Sequence, residues 1–596
     1  MRTRWRPLFL YNLFFQLVSV VILVPMTATV TRWILARTGD LAVSNTAIAH
    51  FLLSPVGVLW IVVTGTFALV LVYAASAGML RIAWAQQAGT TLSARAALVM
   101  TLMGLPGLAR LGLLHIRAHL LRLAPSLALI GLIYVTLLSG YDIYYLTTQT
   151  PPVWWVALGL VAPVVAGIVW VNGRLYLRWI LSLPAMIYER ATPREALTQS
   201  EQIMKGQTWT VIRPIVAVTV LLFAGPFVIS TVFDLVGGFV FTHLPERMAV
   251  LLPAVVFFAG CYMVAAVIVG FVTVALHAVV VSRLYLVVRE SAGLGAVPPT
   301  VESVEHAAGL KLTRGTMAIL GLGLLVAFGY VAYTVSQIDV EDNVGITAHR
   351  GSSIREPENS FAAIELAIEE GADYAELDFQ ELSDGTIVMM HDTDFRRIAG
   401  RAKSVWEVSF DHVRELDVGS WFGPQHSDMR LKTLAEVLEM ARGRILLNIE
   451  LKFHGREKSF VPNVVRALRA ADFKDECIVT SLDLTGLGAF RSEAPEFRVG
   501  AILAKSLGDP MRLDAEVLPV STAMANGNFI DAAHRVGKEV HVWTVNDPAQ
   551  MSRFIDLGVD NILTDDPLLL KNLLEERAAL SREARLLLRA RAALMN

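Results

Sequence analysis

The sequence predicts a multi-span α-helical membrane domain followed by an α/β barrel of the TIM type. The chain has 596 residues, is 54% hydrophobic and only 17% charged, and has a mean hydropathy of +0.53. This composition is too apolar for an ordinary soluble protein, so part of the chain must lie in lipid. Long apolar runs crowd the first half, whereas short strand-like runs alternate with helical stretches in the second half.

Apolar, charge-free runs of roughly 20 residues are long enough to cross a bilayer, and the first half holds about seven of them. They are Leu8 to Val30, Phe51 to Leu80, Leu123 to Tyr141, Val153 to Gly173, Ile215 to Phe233, Ala249 to Val281 and Thr316 to Ile338. Two shorter segments, Leu98 to Ala109 and Trp179 to Tyr188, each contain a proline and are bounded by arginines. We expect them to be interfacial or re-entrant. Counting either as a span reverses the orientation of everything after it.

Basic residues are distributed unevenly between the loops. The loops on the side of the N-terminus hold the basic residues of segments 81–122, 174–205 and 283–314, whereas the opposite loops hold only Arg32, Arg37 and Arg247. Because cytoplasmic loops are enriched in arginine and lysine, we expect a cytoplasmic N-terminus in a multi-pass cell-membrane protein. An odd number of spans then places the second half outside the cytoplasm. No cleavable signal is expected.

Changes in composition suggest the domain boundaries. We expect a membrane domain at 1–338, a short acidic linker "DVEDN" at 339–343, the barrel at 344–572 and an amphipathic C-terminal helix at 573–596. The two cysteines, Cys261 and Cys477, predict no disulfide framework. We expect membrane lipids and no nucleic acid among the partners, and the oligomeric state stays open.

The second half contains a series of strand candidates separated by amphipathic stretches. They are "GITAH", "YAELDFQ", "TIVMMH", "ILLNIELK", "CIVTSL", "RVGAIL", "EVHVWTV" and "NILTD". Such alternation is typical of a parallel α/β fold, and a closed eight-stranded barrel fits its length better than a doubly wound sheet. In a barrel of this kind, chemistry gathers at the C-terminal ends of the strands.

Polar side chains fall at those strand ends. They are His349 and Arg350 after the first strand, Glu376 and Asp378 on the second, His391 and Asp392 after the third, and Glu450 and Lys452 on the fourth. Because side chains alternate along a strand, Glu376 and Asp378 point the same way, as do Glu450 and Lys452.

These residue types indicate phosphoryl transfer. Three carboxylates from two strands suit a hard divalent cation, Mg²⁺ or Ca²⁺, rather than zinc, since no cysteine or histidine cluster accompanies them. Two histidines at separate strand ends could act as general acid and general base. Arg350 offers a planar fork that suits phosphate oxygens. Acyl transfer is less suitable, because the chain lacks a nucleophile elbow.

At these residues the second half, from about 344 to 570, resembles a glycerophosphodiester phosphodiesterase of the TIM-barrel phosphodiesterase superfamily. The motifs that carry the resemblance are "HRG" with "PENS", "ELDFQ", "DGTIVMMHD", "GSWF", "NIELK", "VWTVN" and "ILTDDP", in the family's order. Each motif alone is weak, but the ordered set is specific.

The resemblance implies roles for individual residues. His349 and His391 match the catalytic pair, which Arg350 assists. Glu376, Asp378 and Glu450 match the ligands of one divalent cation. Lys452 and Arg350 match groups that hold phosphate, and Glu358 matches a carboxylate near the histidines and the metal. Trp543 resembles the residue that forms one wall of the family's glycerol pocket, although the sequence fits packing in the core equally well.

The family mechanism implied by this resemblance has two stages. The free 2-hydroxyl of glycerol attacks phosphorus while a histidine protonates the leaving alcohol, and water then opens the cyclic phosphate to glycerol phosphate. The sequence does not order the two histidines as acid and base. The substrate is a glycerophosphodiester, a lysophospholipid or a glycerophosphate polymer, and the alcohol on the other side of the phosphate stays open.

The first half is similar to the membrane domain that bacteria fuse to such phosphodiesterases, most clearly in "LSLPAMIYERATPREALTQSEQIMKGQTW". Two hypotheses follow. In the first, the spans anchor an active enzyme near lipid-derived substrates. In the second, the membrane half transports a lipid or product and the barrel is an accessory. The sequence favours the first, because the barrel's chemical set is complete, whereas the spans show no cluster of buried charges and no obvious inverted repeat. That completeness also argues against a catalytically inactive barrel.

Overall fold

The computed structural model describes residues 5–18, 42–44, 51, 54–141, 143–244, 248–295, 343–580 and 585. The chain forms two compact units. The first, here called the helical unit, comprises 1–34, 52–138 and 156–336, and the second, the barrel unit, comprises 35–51, 139–155 and 337–596. The domain boundaries predicted from composition are not tested by this division and stay predictions.

The described part of the first 300 residues is almost entirely helical. Its helices are α1 (Trp5–Val18), α2 (Pro55–Gln87), α3 (Ala94–Met103), α4 (Leu105–Ile133, extended by the π-helical turn Tyr134–Leu138), α5 (Ile143–Gln149), α6 (Pro152–Trp179), α7 (Ser182–Tyr188), α8 (Pro193–Met204), α9 (Thr208–His243) and α10 (Met248–Ser291). Capping residues in the local sequence determine where several of these helices begin. Ser54 caps α2 by accepting a hydrogen bond from the Gly57 amide (3.0 Å), and Thr192 and Glu195 form a capping box on α8.

Within the described residues, five helical segments are long and apolar enough to cross a membrane. They are Pro55–Gln87, Leu105–Leu138, Pro152–Tyr188, Thr208–Val240 and Gly260–Ser291. They overlap five of the predicted spans. Of the other two, Leu8 to Val30 is described only as far as the end of α1, and Thr316 to Ile338 lies outside the described residues. A total of seven spans therefore stays a prediction.

The barrel unit is built on a closed parallel sheet. Its strands are β2 (Gly345–His349), β3 (Tyr374–Glu381), β7 (Leu446–Leu451), β8 (Cys477–Ser481), β9 (Arg498–Ala501), β11 (Val517–Ser521), β12 (Glu539–Trp543) and β13 (Asn561–Thr564). They follow one another in the order β2, β13, β12, β11, β9, β8, β7, β3, and the pairing of β3 with β2 closes the ring. The predicted eight-stranded barrel is confirmed.

One of the eight barrel strands is not the one that the sequence predicted. "TIVMMH" forms β4 (Ile387–Met389), which pairs antiparallel with the outer end of β3 and is not one of the eight parallel strands. The remaining barrel strand is β11, whose sequence "VLPVS" was not among the candidates. Proline has no backbone N–H to donate to a neighbouring strand, so Pro519 makes the sequence look unlike a central strand. Its carbonyl still accepts from the Leu503 amide (2.8 Å).

Helices and short strands complete this unit. The helices are α11 (Phe361–Glu370), α12 (Arg396–Ala399), α13 (Phe410–Val413), α14 (Leu434–Ala441), α15 (Phe460–Ala470), α16 (Leu484–Glu493), α17 (Gly527–Arg535), α18 (Pro548–Leu557) and α19 (Pro567–Ala578), and the short strands are β1 (Ala42–Ser44), β5 (Asp394–Phe395), β6 (Arg401–Ser404) and β10 (Ser506–Gly508). Strand β1 pairs with β10, and β5 with β6. The insertion between β3 and β7 has its own apolar cluster around Phe395. Arg577 of α19 pairs with Asp556 of α18 (2.5 Å), which fixes α19 to its neighbour.

The turn after β2 requires a glycine. Gly351 has a φ of 82°, and a Cβ there would lie 2.6 Å from the Ala363 Cβ and 2.7 Å from its carbonyl carbon. The turn is therefore pressed against the beginning of α11, immediately after His349 and Arg350.

We expect Gly351→Ala to lower the thermal midpoint of the full-length protein in detergent more than Gly443→Ala does. Both positions have positive φ, which costs an L-residue about 1–2 kcal/mol, but a Cβ on Gly443 meets nothing within 4 Å. Overpacking adds about 1–3 kcal/mol at Gly351 alone. Equal shifts of the two midpoints, measured by differential scanning fluorimetry, would contradict the close packing.

Candidate active site

The three predicted metal-binding carboxylates lie together at the mouth of the barrel. Glu376 and Asp378 alternate along β3, and the register places Asp378 directly beside Glu450 of β7. All three are buried, and each offers an oxygen within 4.8 Å of an oxygen of the others. The second oxygen of Glu376, Oε1, is buried without a hydrogen-bond partner among the described residues. An unpartnered buried carboxylate oxygen is costly unless a cation binds it.

Lys452 lies between two of these carboxylates. Its Nζ is 3.0 Å from Asp378 Oδ1 and 2.7 Å from Glu450 Oε1. Burial opposes ionisation of Asp378, but Lys452, with His391 and Arg350, outweighs burial and holds the pKa of Asp378 well below its usual range. At Glu376 the nearby positive charges do not offset burial. Burial, added to repulsion from Asp378, raises the pKa of Glu376 to about 8.

Asn359, from the "PENS" motif, fixes the orientation of Asp378. Its side-chain amide donates to Asp378 Oδ2 (2.9 Å), and its carbonyl oxygen accepts from the Asp378 backbone amide (3.0 Å). Asn359 has a φ of 52°, a conformation that asparagine tolerates better than most residues. The motif alone did not predict this role for Asn359.

His349 ends β2 and lies between two acids. Its Nδ1 is 2.6 Å from Asp565 Oδ1 at the end of β13, and its Nε2 is 3.9 Å from Glu376 Oε2. Burial alone would lower the pKa of His349, but the hydrogen bond with Asp565 prevails and raises it above its ordinary value. Asp565 belongs to the "ILTDDP" motif, and only the fold brings it to His349.

The pKa of His391 shifts in the opposite direction from that of His349. Burial and the nearby Lys452 ammonium lower the pKa of His391, although Asp392 Oδ1 lies 3.0 Å from its Nδ1. The backbone around His391 is held by Gln380, whose side-chain amide donates to the carbonyls of Met390, His391 and Asp392 at 2.8–3.0 Å. Gln380 continues the alternation of Glu376 and Asp378 on β3, so the sequence pattern already contained this signal. His454 lies 2.8 Å from the Gln380 side-chain oxygen.

Two arginines neutralise a second group of acids. Arg350, only 6% exposed, donates to Glu358 Oε1 (2.8 Å), and its backbone amide donates to Glu376 Oε2 (2.9 Å). Arg397 bridges Glu358 and Asp392, each at 2.7 Å. Glu358, Asp392 and His391 are close enough to hold an ion, but these arginines already compensate both carboxylates. Arg397 lies in the insertion after β4, and no motif pointed to it.

The net charge of the mouth supports a cation at the first group. Six carboxylates face three fixed cations there. The carboxylates are Glu358, Glu376, Asp378, Asp392, Glu450 and Asp565, and the cations are Arg350, Arg397 and Lys452. With Glu376 ionised, as metal binding requires, the three surplus negative charges match one divalent cation together with one protonated histidine. Oxygen ligands of this kind suit Mg²⁺ or Ca²⁺, so the residues present fit a divalent cation.

Trp543 lies at the C-terminal end of β12. The side chain is half-buried, and its indole Nε1 is buried without an acceptor among the described residues. A buried indole donor usually finds a partner. The two interpretations of Trp543, pocket wall and core residue, therefore both stay open.

Two family models match the chain. Residues 349–569 match the glycerophosphoryl diester phosphodiesterase family, and residues 1–325 match the membrane domain of glycerophosphoryl diester phosphodiesterase. The chain belongs to the glycerophosphoryl diester phosphodiesterase family. It is therefore a membrane protein and a phosphoric diester hydrolase, as the resemblance predicted.

Individual relatives match the barrel. A glycerophosphodiester phosphodiesterase of Caldanaerobacter subterraneus subsp. tengcongensis is 31% identical over 241 residues, which are 39% of this chain and 98% of that protein. One from Arabidopsis thaliana is 28% identical, over 39% of this chain and 73% of that protein. The crystal structure of a glycerophosphodiester phosphodiesterase from Agrobacterium tumefaciens is 29% identical, covers 38% of this chain and 99% of that one, and has a TM-score of 0.35.

We expect the affinity of the metal-free protein for Mg²⁺ or Ca²⁺ to rise with pH. Since the pKa of Glu376 is raised to about 8, a cation must displace its proton below that pH, and the Kd should fall about tenfold per pH unit there. Isothermal titration in buffers of different ionisation enthalpy measures both the Kd and the proton released. In Glu376→Gln the release should vanish, and a Kd independent of pH between about 7 and 9 would contradict the burial argument.

Proposed function

We propose that the barrel hydrolyses glycerophosphodiesters to glycerol 3-phosphate and an alcohol with the help of one divalent cation, Mg²⁺ or Ca²⁺. The observation that carries this proposal is the buried group of Glu376, Asp378 and Glu450, with an unpartnered oxygen on Glu376, beside two histidines. When bound, the cation supplies positive charge to glycerol hydroxyls and a phosphate oxygen.

Arg350 and Lys452 hold the substrate phosphate in this proposal. Each already contacts carboxylates. The Lys452 ammonium has three N–H donors and contacts two carboxylates, so one donor remains for a phosphate oxygen, and the planar Arg350 guanidinium adds a fixed positive charge. Their attachment to Glu358, Asp378 and Glu450 also keeps them rigid. Fixed charges need no reorganisation when negative charge builds on phosphorus oxygens, which is how such groups lower a barrier.

The opposite pKa shifts favour His349 as the acid and His391 as the base. In the first stage His391 takes the proton of the 2-hydroxyl, the resulting oxygen attacks phosphorus, and His349 gives its proton to the departing alcohol oxygen. In the second stage the roles reverse. His349 takes a proton from water, which attacks phosphorus, and His391 returns its proton to the 2-oxygen, leaving glycerol 3-phosphate. Groups whose environments separate their pKa values are suited to such paired roles.

The helical unit would hold this enzyme at a membrane. Its five apolar helices and the asymmetry of basic residues support a multi-pass anchor with a cytoplasmic N-terminus and an extracytoplasmic barrel. Substrates produced near lipid, such as deacylated phospholipids or lysophospholipids, and glycerophosphate polymers would then be accessible. Trp543, with its unpartnered indole donor, would form one wall of the glycerol pocket.

We expect the full-length protein in detergent to release glycerol 3-phosphate only with Mg²⁺ or Ca²⁺, and His349→Ala and Glu376→Ala to lower kcat by roughly 10²–10⁴-fold, as loss of a general acid or its charged partners does. Glycerophosphocholine serves as the soluble substrate and lysophosphatidylcholine micelles as the lipid substrate. Exposed His412 and Glu439 provide the matched controls His412→Ala and Glu439→Ala, which should retain wild-type rates.

The same assay separates an active enzymatic barrel from a barrel that is only an accessory of the membrane half. Turnover of either substrate that requires metal and is lost in both variants supports the anchored enzyme. Wild-type rates in His349→Ala and Glu376→Ala, or rates unaffected by a chelator, would contradict the proposed site.

The acid assignment predicts a shift of the pH–rate profile in Asp565→Asn. The hydrogen bond with Asp565 raises the pKa of His349, and burial lowers it, so the variant should have a lower pKa at His349. Since the acid must be protonated, activity is lost as pH rises through this pKa, and the alkaline limb of kcat/KM should move to lower pH. If instead the acidic limb moves, His349 is the base. Asp547→Asn, at the start of α18, is the control.

A further inference from the structure

The helical unit contains a cavity of about 300 Å³ that has no place in the hydrolytic reaction. Two arginines and a tryptophan, Arg81, Trp84 and Arg190, line it together with apolar side chains such as Met100 and Met186. No aspartate or glutamate belongs to the lining in the part of the chain that the structure describes. The cavity therefore combines positive charge with an apolar wall.

Arg81 is held by a neutral group. Its Nη1 donates to the Thr101 hydroxyl (3.0 Å), and among the described residues no carboxylate lies within 4.0 Å of its guanidinium. Glu189, which precedes the lining residue Arg190 in sequence, pairs with Arg289 (2.8 Å), and Glu201 accepts from the Trp179 indole (2.9 Å). A partly buried guanidinium in a membrane protein is costly unless an anion accompanies it.

The position of Arg81 on α2 corresponds to the headgroup region of a bilayer. From Val56 to Leu80 the helix carries no charge, and this run exceeds the roughly 20 residues that cross the hydrocarbon core. Arg81 is the first charged residue after it, and Trp84 follows one turn later. Tryptophan is enriched at this depth, where its ring is partly apolar and its N–H is wet.

We propose that this cavity binds the phosphate of an anionic phospholipid. Arg81 would hold the phosphate through the guanidinium donors that Thr101 does not use, with Arg190 adding positive charge at the rim. Leu92, Met100 and Met186 would contact the glycerol backbone and the first methylenes. Because no acid in the lining could pair with choline, the cavity disfavours zwitterionic headgroups.

The proposal is tested on the full-length protein in detergent micelles by native mass spectrometry. The probes are phosphatidylglycerol, phosphatidylcholine and inorganic phosphate. Arg81→Gln removes the charge, and Gly107→Leu fills the cavity while leaving Arg81 intact, since a Cβ on Gly107 would lie 3.4 Å from the Met186 methyl. Arg110→Gln, an exposed arginine on α4, is the matched control. Any binding at the barrel site is common to all four proteins.

We expect retention of one phosphatidylglycerol per chain, weaker retention of phosphatidylcholine, and a rise of at least tenfold in the apparent Kd for phosphatidylglycerol in both Arg81→Gln and Gly107→Leu. Arg110→Gln should bind like wild type. Because Gly107→Leu keeps every contact of Arg81, it reports on the cavity even if Arg81→Gln does not fold. Equal affinities in all variants, no preference for phosphatidylglycerol, or complete displacement by inorganic phosphate would overturn the proposal.

Discussion

The burial of negative charge at the mouth of the barrel is the constraint on which the rest of the site depends. Glu376, Asp378 and Glu450 are removed from water at the ends of two adjacent strands. Desolvated carboxylates must be compensated, and Lys452 does so for only two of them. The remaining oxygen of Glu376, together with its raised pKa, marks the position where one more positive charge is needed.

The burial of negative charge also explains the contacts made by Glu358 and Asp392. Glu358 and Asp392 would add to the negative charge if Arg350 and Arg397 did not bind them. This arrangement separates two groups of acids that otherwise look equally able to bind metal. It also leaves the two histidines in different surroundings, because Asp565 supports the protonated form of His349, whereas Lys452 opposes that of His391.

The part of the site that follows from strand periodicity could be predicted from the sequence. Alternation alone places Glu376, Asp378 and Gln380 on one face of β3, and parallel strands bring His349 and Glu450 to the same end. Asn359, Arg397 and Asp565 could not be placed in this way, because they lie in turns or in an insertion whose path depends on tertiary packing. The sequence did not predict strand β11, because Pro519 interrupts the strand pattern. The barrel nevertheless accommodates this proline.

In the helical unit, the apolar runs predict which segments are helical, but not which polar side chains meet. Arg81 and Met186 are far apart in sequence and share one cavity, and His115, His119 and His277 line a second cavity of about 550 Å³. The sequence does not show these groupings of polar side chains, because packing of the helices brings them together. The short segment Trp179 to Tyr188 contributes to both cavities.

A crystal of the full-length protein soaked with Mn²⁺ would show directly where the cation binds, since carboxylate ligands accept this cation and its anomalous signal locates it. We predict one strong anomalous peak between Glu376, Asp378 and Glu450, at about 2.0–2.6 Å from an oxygen of each. A peak confined to Glu358, His391 and Asp392, or no peak at the mouth of the barrel, would show that Glu376, Asp378 and Glu450 do not form the metal site.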